Sequence, residues 1–200
     1  MQISVLGTGG VAQILAAAWS KAGHEVNLGS RDPGSKSLEV PVRPLADVVV
    51  DADVVVNATP GADSLEALSA IGASTFRGKV LIDVANAITP SFELVYPNSS
   101  LGEKLQEALP DAHVVKTMNT AAMTVLADPA SLGSSSVFLS GDNAEAKATV
   151  AGLLAHLGWA DDAIIDLGGI VTARGVEHYF LLFAALMRAG GPKFNIRVVR

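Results

Sequence analysis

The sequence of 200 residues contains no cysteine and carries little charge. Without cysteine, disulfide frameworks, thiolate metal sites and cysteine nucleophiles are excluded, and nothing indicates an oxidising compartment. Lysine and arginine number 14 against 20 acidic residues, which gives a formal net charge of −6. Because this charge repels phosphate backbones and anionic lipid surfaces, we expect neither nucleic acid nor a membrane as a partner.

Long apolar runs are also missing from the sequence. The longest one extends over nine residues from Tyr179 to Met187, whereas a helix that spans a bilayer needs about 18 or more. The first apolar segment follows Met1 and Gln2 without a basic region, so we expect no signal peptide and a cytoplasmic location. Half of the residues are hydrophobic, which is enough for the core of one domain.

Short β-branched runs alternate with helical patterns along most of the chain. The runs occupy residues 3–6, 25–28, 53–56, 79–82, 113–116 and 136–139. Such an alternation predicts right-handed βαβ crossovers and an α/β Rossmann fold with a doubly wound parallel sheet. Residues 34–50 contain two prolines and are predicted to form a loop with a short helix. We divide the chain into a Rossmann domain, residues 1–140, and a small C-terminal helical part, residues 141–200.

The last quarter of the chain contains the clearest helical pattern. After a short strand predicted at residues 163–167, apolar residues recur at helical spacing from Val176 to Met187. The opposite face of this helix carries leucines at positions 181, 182 and 186, so it is apolar on nearly every side. Either the rest of the monomer or a partner subunit must cover it, and we expect a homodimer formed through this helix.

A glycine-rich segment follows the first predicted strand directly. Residues 7–12 read GTGGVA and lead into a helix, which is the context that makes a dinucleotide-binding fingerprint informative. The first glycine permits a tight turn, the second allows a pyrophosphate to approach the backbone, and Ala12 keeps helix and strand close. We therefore predict cofactor contacts from Gly7, Thr8, Gly9, Gly10 and Val11.

The end of the second predicted strand distinguishes between two dinucleotides. NAD-binding proteins place an acidic residue there to hold the ribose 2′-hydroxyl group, whereas this chain has Ser30 and Arg31, with Lys36 close by. A guanidinium pairs with a 2′-phosphate, so the pattern predicts NADP(H). Asp32 is expected to cap the turn and point away. The alternative is that Ser30 and Arg31 form a solvated turn.

Three further loops follow strands three to five of the predicted sheet, where open α/β sheets bind their ligands. They cover residues 57–60, 83–86 and 117–120. No catalytic histidine, Ser-His-Asp arrangement or cluster of metal ligands is visible near them, so we expect these loops to orient a ligand rather than to move protons. Each asparagine could instead serve only its own turn. We predict cofactor contacts from Thr59, Pro60, Ala85, Asn86 and Asn119, and orientation by Asn86, Asn119, Thr120 and Met123.

Seven segments, in order along nearly the whole chain, form a recognisable pattern: VLGTGGV at 5–11, GHEV at 23–26, GSR at 29–31, GKVLID at 78–83, VVKTMNT at 114–120, LSGDNAEAK at 139–147 and TARGVE at 172–177. Together they resemble the NADPH-dependent coenzyme F420 reductases, also called F420H2:NADP oxidoreductases. The resemblance implies a Rossmann domain and a C-terminal helical part that enclose NADP, with the deazaflavin of F420 above the nicotinamide, usually in a homodimer.

The resemblance also implies roles for individual residues. The pyrophosphate would be held by residues 8–11, the 2′-phosphate by Ser30, Arg31 and Lys36, and the nicotinamide would meet the deazaflavin at residues 119–123. The sequence departs from the family pattern at Asn119 and Ala122, where family members carry His and Pro.

The expected function is hydride transfer between NADPH and a flavin-like acceptor, coenzyme F420 if the resemblance holds for the acceptor. Two alternatives stay open. The acceptor could be another small molecule, such as free flavin, a ferric complex, an imine or a carbonyl compound. The protein could also be a non-catalytic NADP(H) sensor that binds a protein partner.

Overall fold

The computed structural model describes residues 1–35 and 38–199. Within them, six parallel strands form the central sheet: β1 (Gln2–Leu6), β2 (Glu25–Ser30), β3 (Val42–Pro44), β4 (Val54–Asn57), β5 (Val80–Asp83) and β6 (His113–Lys116). Their spatial order is β3-β2-β1-β4-β5-β6. β2 and β3 lie on one side of β1, and β4, β5 and β6 lie on the other. The strand order therefore reverses between β1 and β4, which leaves a crevice there at the carboxyl edge of the sheet. The predicted α/β Rossmann fold is confirmed.

Helices cover both faces of the sheet because its strands are apolar on both sides. One face is covered by α1 (Gly10–Lys21) and α5 (Ala144–His156), and the other by α2 (Leu45–Asp51), α3 (Gly61–Ile71) and α4 (Leu101–Ala108). Trp19 of α1 is fully buried, and its Nε1 donates to the carbonyl oxygen of Leu153 at 3.0 Å. This hydrogen bond joins α5, which follows residue 140, to the first βαβ unit.

The strand register aligns the carboxyl ends of the central strands. Asn57 pairs with Leu6 on one side and with Asp83 on the other, and Asp83 pairs with Lys116. Residues in one row of a parallel sheet point to the same face, so these three polar side chains stand next to one another. The loops that follow them open at a common edge.

One strand was not expected in the segment of residues 34–50. Val42–Pro44 forms β3 at the edge of the sheet, directly before α2. A strand of three residues that ends in proline has little alternation to recognise, and proline is tolerated there because an edge strand needs fewer N–H donors. The predicted loop is therefore wrong at β3, although the short helix is present. The crevice loops consequently follow β4, β5 and β6, one strand later than predicted.

Two further predicted strands, at residues 136–139 and 163–167, lie outside the six-stranded sheet. β7 (Val137–Leu139) pairs in parallel with β8 (Ile164–Asp166) in a separate two-stranded sheet. This sheet is joined to β6 by an antiparallel bridge between Lys116 and Ser140. The division of the chain at residue 140 stays a prediction.

The helix predicted from Val176 to Met187 is present, with a local irregularity at Tyr179. The chain forms α6 (Ala173–His178) and α7 (Phe180–Gly190), with a turn at Tyr179 between them. α6 packs against α4 and buries Ala173, Val176 and Glu177, whereas no residue of α7 is buried. Tyr179 keeps a helical φ of −54° and ψ of −26°, and its N–H donates to the Gly175 carbonyl, so α7 continues the course of α6. The apolar surface that prompted the prediction lies on α7.

By length and composition alone, the helical segment Ile170–Gly190 could cross a membrane. It has 21 residues and a mean hydropathy of 1.3 in its most apolar window, of which 22% is buried. This segment contains no long uninterrupted apolar run, since Arg174 and Glu177 divide it, so the sequence did not indicate it. Glu177 is buried and accepts a hydrogen bond from the N–H of Leu101. This contact favours packing of α6 against the rest of the protein over insertion into a membrane.

Candidate functional site

Three glycines shape the loop between β1 and α1. Gly7 has a φ of 119°, and a Cβ atom there would stand 2.5 Å from the carbonyl oxygen of Ala58. A Cβ at Gly10 would stand 2.6 Å from the sulfur of Met123. At Gly9, in contrast, a Cβ would meet no described atom within 4 Å. The loop therefore turns tightly at Gly7 and leaves its backbone open at Gly9, which is where a pyrophosphate would need to approach.

The N-terminus of α1 continues this cradle. Gly9 is the N-cap residue and has no side chain to accept hydrogen bonds from the first turn. The N–H of Gln13 donates to the Gly9 carbonyl at 3.0 Å, and the Gln13 side chain donates to the Thr8 carbonyl at 2.8 Å. The amides of residues 10–12 precede the first intrahelical bond and have no helical acceptor. Together with the helix dipole they favour an anion, so these residues fit a dinucleotide pyrophosphate.

Ser30 is the last residue of β2, and Arg31 follows it beside the glycine loop. The N–H of Gly7 donates to the carbonyl of Gly29 at 2.9 Å, which brings the end of β2 next to the loop. Arg31 is exposed. Ser30 contributes to this turn, since its Oγ accepts the Asp32 N–H at 3.1 Å. Lys36, the third residue predicted for the 2′-phosphate, lies outside the described residues.

The first crevice loop is held by the side chain of Asn57. Its Oδ1 accepts the Thr59 hydroxyl at 2.7 Å, and its Nδ2 donates to Asp83 at 2.9 Å. Thr59 also shares a hydrogen bond of 2.7 Å with Ser64 in α3. The Thr59 hydroxyl is thus engaged within the loop, whereas Pro60, at the start of α3, is exposed at the crevice edge.

The structure brings the two predicted asparagines together. Asn119 Nδ2 donates to Asn86 Oδ1 at 3.0 Å, and Asn86 Nδ2 donates to the Asn119 carbonyl at 2.9 Å. Asn119 Nδ2 also donates to the carbonyl of Val176 in α6 at 2.9 Å. Both N–H groups of Asn119 are therefore engaged, while Asn86 is half-exposed and keeps one N–H beyond these bonds. Gly61 allows this arrangement, because a Cβ there would lie 2.0 Å from the Asn86 carbonyl oxygen.

The loop after β6 places its other predicted residues differently. Thr120 is buried at 2% exposure, whereas Met123 is 45% exposed and stands over Gly10. Met118 has a φ of 60°, a left-handed conformation that costs a non-glycine residue about 1–3 kcal/mol. Of the two orienting residues predicted here besides Asn119, Met123 is the one that lies at the glycine loop.

A buried ionic cluster lies beneath the asparagine pair. Lys116 Nζ is 2.8 Å from Asp83 Oδ2 and 3.0 Å from Glu177 Oε1, and it also donates to the carbonyl of Ala85. The side chains of Lys116 and Asp83 are fully buried and that of Glu177 is 6% exposed. We name these three charged residues the Asp83–Lys116–Glu177 cluster.

The environment of the cluster shifts the pKa of two members. Burial raises the pKa of Asp83, and the nearby Lys116 only partly opposes this. Burial would lower the pKa of Lys116, but Asp83 and Glu177 outweigh it, so this pKa lies above its usual value. The lysine therefore remains protonated between its carboxylate neighbours.

The sequence did not lead us to predict this cluster. Asp83 and Lys116 each end an apolar strand with a charged residue, in VLID and HVVK. A charge at the last position of a buried strand is a signal that could have identified both. Glu177 gave a weaker signal, since one carboxylate on the inner face of α6 is recognisable only once the packing of that helix is known.

The N-terminal part of the chain, which contains the glycine loop, matches a known protein family. Residues 2–87 match the model of a family described as NADP oxidoreductase, coenzyme F420-dependent. A solved structure from Arthrobacter sp., proposed to be an F420-dependent NADP-reductase, matches over 100% of both chains with 42% identity and a TM-score of 0.94. The chain belongs to this F420-dependent NADP oxidoreductase family.

Two other relatives extend the comparison. A hypothetical protein from Sinorhizobium meliloti is 31% identical, with a TM-score of 0.72 over 86% of this chain and 88% of its own. The metalloreductase STEAP3 of Rattus norvegicus is 29% identical over 181 residues, which is 88% of this chain. This chain spans only 36% of the length of that metalloreductase. By family, the protein is an NADP-dependent oxidoreductase, as the seven sequence segments predicted.

Proposed function

We propose that this member of the F420-dependent NADP oxidoreductase family transfers a hydride reversibly between NADPH and coenzyme F420. The observation that carries the proposal is the similarity to the Arthrobacter protein, whose description names both molecules, at 42% identity over the full length of both chains. The chain departs from the family pattern at Asn119 and Ala122, where the nicotinamide would meet the acceptor, so the experiments below test the acceptor directly.

The cofactor would be held at the carboxyl edge of the sheet. The open backbone at Gly9 and the amides of residues 10–12 would bind the pyrophosphate, and Ser30 and Arg31 the 2′-phosphate. When bound, NADPH supplies the hydride from C4 of its nicotinamide.

The chain itself would contribute orientation and exclusion of water. Hydride transfer between two rings requires close alignment of the reacting atoms, at about 3–3.5 Å, rather than a strong general base. The mutually bonded Asn86 and Asn119 form a fixed wall of the crevice, and Met123 stands over the glycine loop. These residues are suited to holding flat ligands in one orientation.

Turnover with F420 tests the proposal directly. Purified protein is mixed with NADPH and oxidised F420, and the deazaflavin absorbance is followed. We expect reduction of F420 that depends on NADPH. If NADPH binds and the absorbance stays constant, F420 is not the acceptor. Binding of NADPH without turnover of any acceptor would support the sensor alternative.

A glycine variant tests the cofactor site without disturbing the fold. Gly9→Val places a side chain where no described atom lies within 4 Å, so the variant should fold while filling the pyrophosphate space. We expect loss of NADPH binding in calorimetry with a Tm only a few degrees lower, since valine is a poorer N-cap residue than glycine. The matched control is Gly152→Val in α5, where a Cβ also meets no described atom within 4 Å. Normal NADPH affinity of the Gly9 variant would contradict the assignment of the pyrophosphate site.

The similarity to a metalloreductase favours a second candidate acceptor. STEAP3 matches 88% of this chain, so we consider a free flavin, which would accept the hydride, and a ferric complex, of which two ions would accept its two electrons with release of one proton. The same assay with ferric citrate and with FMN separates these acceptors. Faster NADPH oxidation with ferric citrate or FMN than with F420 would replace the first proposal by this one.

We also propose that α7 forms a homodimer interface. Leu181, Leu182, Leu186 and Met187 are 38–55% exposed on this helix, and clustered apolar surface of this kind is typical of interfaces. Light scattering of the wild-type protein should give twice the monomer mass of 20.5 kDa. Leu182→Glu should give the monomer mass, and a monomeric wild-type protein would refute the proposal.

A further inference from the structure

The Asp83–Lys116–Glu177 cluster has no part in the cofactor site as described above. Its side chains are at most 6% exposed, and Lys116 lies within 3.0 Å of both carboxylates. Buried ion pairs contribute little net stability compared with apolar side chains of the same size, because desolvation of the charges opposes their attraction. One attested use of such pairs is to select a single arrangement of the elements that carry them. The elements joined here are β5, β6 and α6.

Both ends of the cluster lie next to the asparagine pair in the chain. Lys116 donates to the carbonyl of Ala85, the residue before Asn86. Glu177 follows Val176, whose carbonyl accepts a hydrogen bond from Asn119 at 2.9 Å. A displacement of Lys116 or Glu177 would therefore move the backbone that supports one asparagine or the other.

Glu177 has further bonds that determine where α6 lies. Its Oε2 accepts the N–H of Leu101 at 2.8 Å, and its Oε1 accepts the N–H of Gly102 at 3.1 Å. These are first-turn amides of α4, where the helix dipole favours a carboxylate. The same carboxylate thus connects the N-terminus of α4 with Lys116, and it holds α6 over the end of β6.

We propose that Lys116 and Glu177 are positioning residues that hold the Asn86–Asn119 pair in place as a wall of the crevice. They touch neither substrate nor cofactor and act through Ala85 and Val176. The kinetic part of this inference rests on the proposed hydride transfer, whereas the position of the asparagines can be measured without any acceptor.

Glu177→Gln is the primary test, because glutamine keeps the size of the side chain and removes its charge. We expect kcat to fall about tenfold, since a small misplacement of the orienting residues slows a reaction that depends on alignment. The Kd for NADPH should stay within about twofold, because its phosphate sites lie on other loops. The side-chain amide signals of Asn86 and Asn119 in ¹H–¹⁵N spectra should shift, and that of Asn195 should not.

Arg174→Gln is the matched control on the same helix. Arg174 pairs with Glu103 of α4 at 2.7 Å, and its own side chain is 48% exposed. We expect kcat and both asparagine signals to stay at their wild-type values. If the control lowers kcat as much as Glu177→Gln does, general docking of α6 explains the effect and the proposal is overturned.

The remaining outcomes are also decisive. Unchanged kcat and unchanged asparagine signals in Glu177→Gln overturn the proposal, as does a parallel loss of kcat, NADPH affinity and Tm. Absence of F420 turnover by the wild-type protein refutes the proposed function, while the asparagine signals still test positioning. If Glu177→Gln does not fold, wild-type spectra decide: NADPH should shift the amide signals of Asn86 and Asn119 and leave Asn195 in place, and no shift of the pair overturns the proposal.

Discussion

Replacement of Gly61 by alanine tests the packing that forms the crevice. Gly61 begins α3, and a Cβ there would lie 2.0 Å from the carbonyl oxygen and 2.3 Å from the carbonyl carbon of Asn86, and 2.7 Å from the nitrogen of Ala87. All three neighbours are backbone atoms, so no side-chain rotation can relieve the contact. Relief requires α3 and the loop after β5 to separate by about 1.5 Å, given ordinary van der Waals distances of about 3.5–4 Å.

Two opposing terms determine the size of the effect. Alanine is favoured over glycine within a helix by about 1 kcal/mol. Overpacking of a filled site costs about 1–3 kcal/mol and occasionally more, and rigid backbone neighbours place Gly61 at the upper end. We expect a net loss of about 2 kcal/mol in the free energy of unfolding. For a chain of 200 residues this lowers the Tm by about 4–8 °C.

Thermal unfolding and steady-state kinetics measure the two consequences. Gly152→Ala in α5 is the control, since a Cβ there meets no described atom within 4 Å; it should raise the Tm by about 2–4 °C. Because Asn86 is displaced, Gly61→Ala should also lower kcat by about a hundredfold, the cost expected once a misplacement reaches about 1 Å. The reasoning is refuted if the two variants have the same Tm, or if Gly61→Ala keeps wild-type stability and kcat.

Three further variants test the charged groups. Arg31→Ser should weaken NADPH binding in calorimetry by about 10- to 100-fold and leave NADH binding unchanged, because a charge-assisted bond to the 2′-phosphate is lost. Burial, the N-terminal ammonium group and His156 lower the pKa of His24, so the native state binds fewer protons than the unfolded chain. Wild-type stability to urea should therefore fall as the pH drops below about 6.5, and His24→Gln should reduce this dependence. Lys116→Met leaves two buried carboxylates without their cation and should cost about 3–5 kcal/mol in urea unfolding.

For each of these three variants, one outcome would contradict the prediction. Equal losses of NADPH and NADH affinity in Arg31→Ser would mean that the guanidinium does not read the 2′-phosphate. A pH dependence unchanged in His24→Gln would assign the titration to another group. For Lys116→Met the control is Arg43→Met, which breaks an exposed pair with Asp51 and should cost at most about 1 kcal/mol; similar costs in both variants would contradict the special role of the buried lysine.

The part of the candidate site that the sequence predicted is local in the chain. A strand, a GTGGVA turn and a helix are adjacent in sequence, and a positive φ at Gly7 is a property of one residue. Ser30 and Arg31 were likewise predictable from their place at the end of β2. The strand β3 escaped prediction because it has three residues and depends on its neighbour for hydrogen bonds.

The contacts that complete the crevice depend on residues far apart in the sequence. Asn86 and Asn119 were each predicted to lie in a crevice loop, but their mutual hydrogen bonds depend on how β5 and β6 are aligned. Lys116 and Glu177 meet only because α6 packs against α4. Neither periodicity nor motif spacing specifies such a pairing.

The sequence by itself therefore determined the Rossmann fold, the glycine cradle and the basic end of β2, since turn geometry, strand burial and charge are encoded by neighbouring residues. The tertiary structure alone decided that the asparagines hold each other and that a buried lysine is enclosed by two carboxylates. It also decided that α6 packs on the protein while α7 is left without a buried residue. The physical reason is that strand register and helix packing bring together groups that the chain separates by dozens of residues.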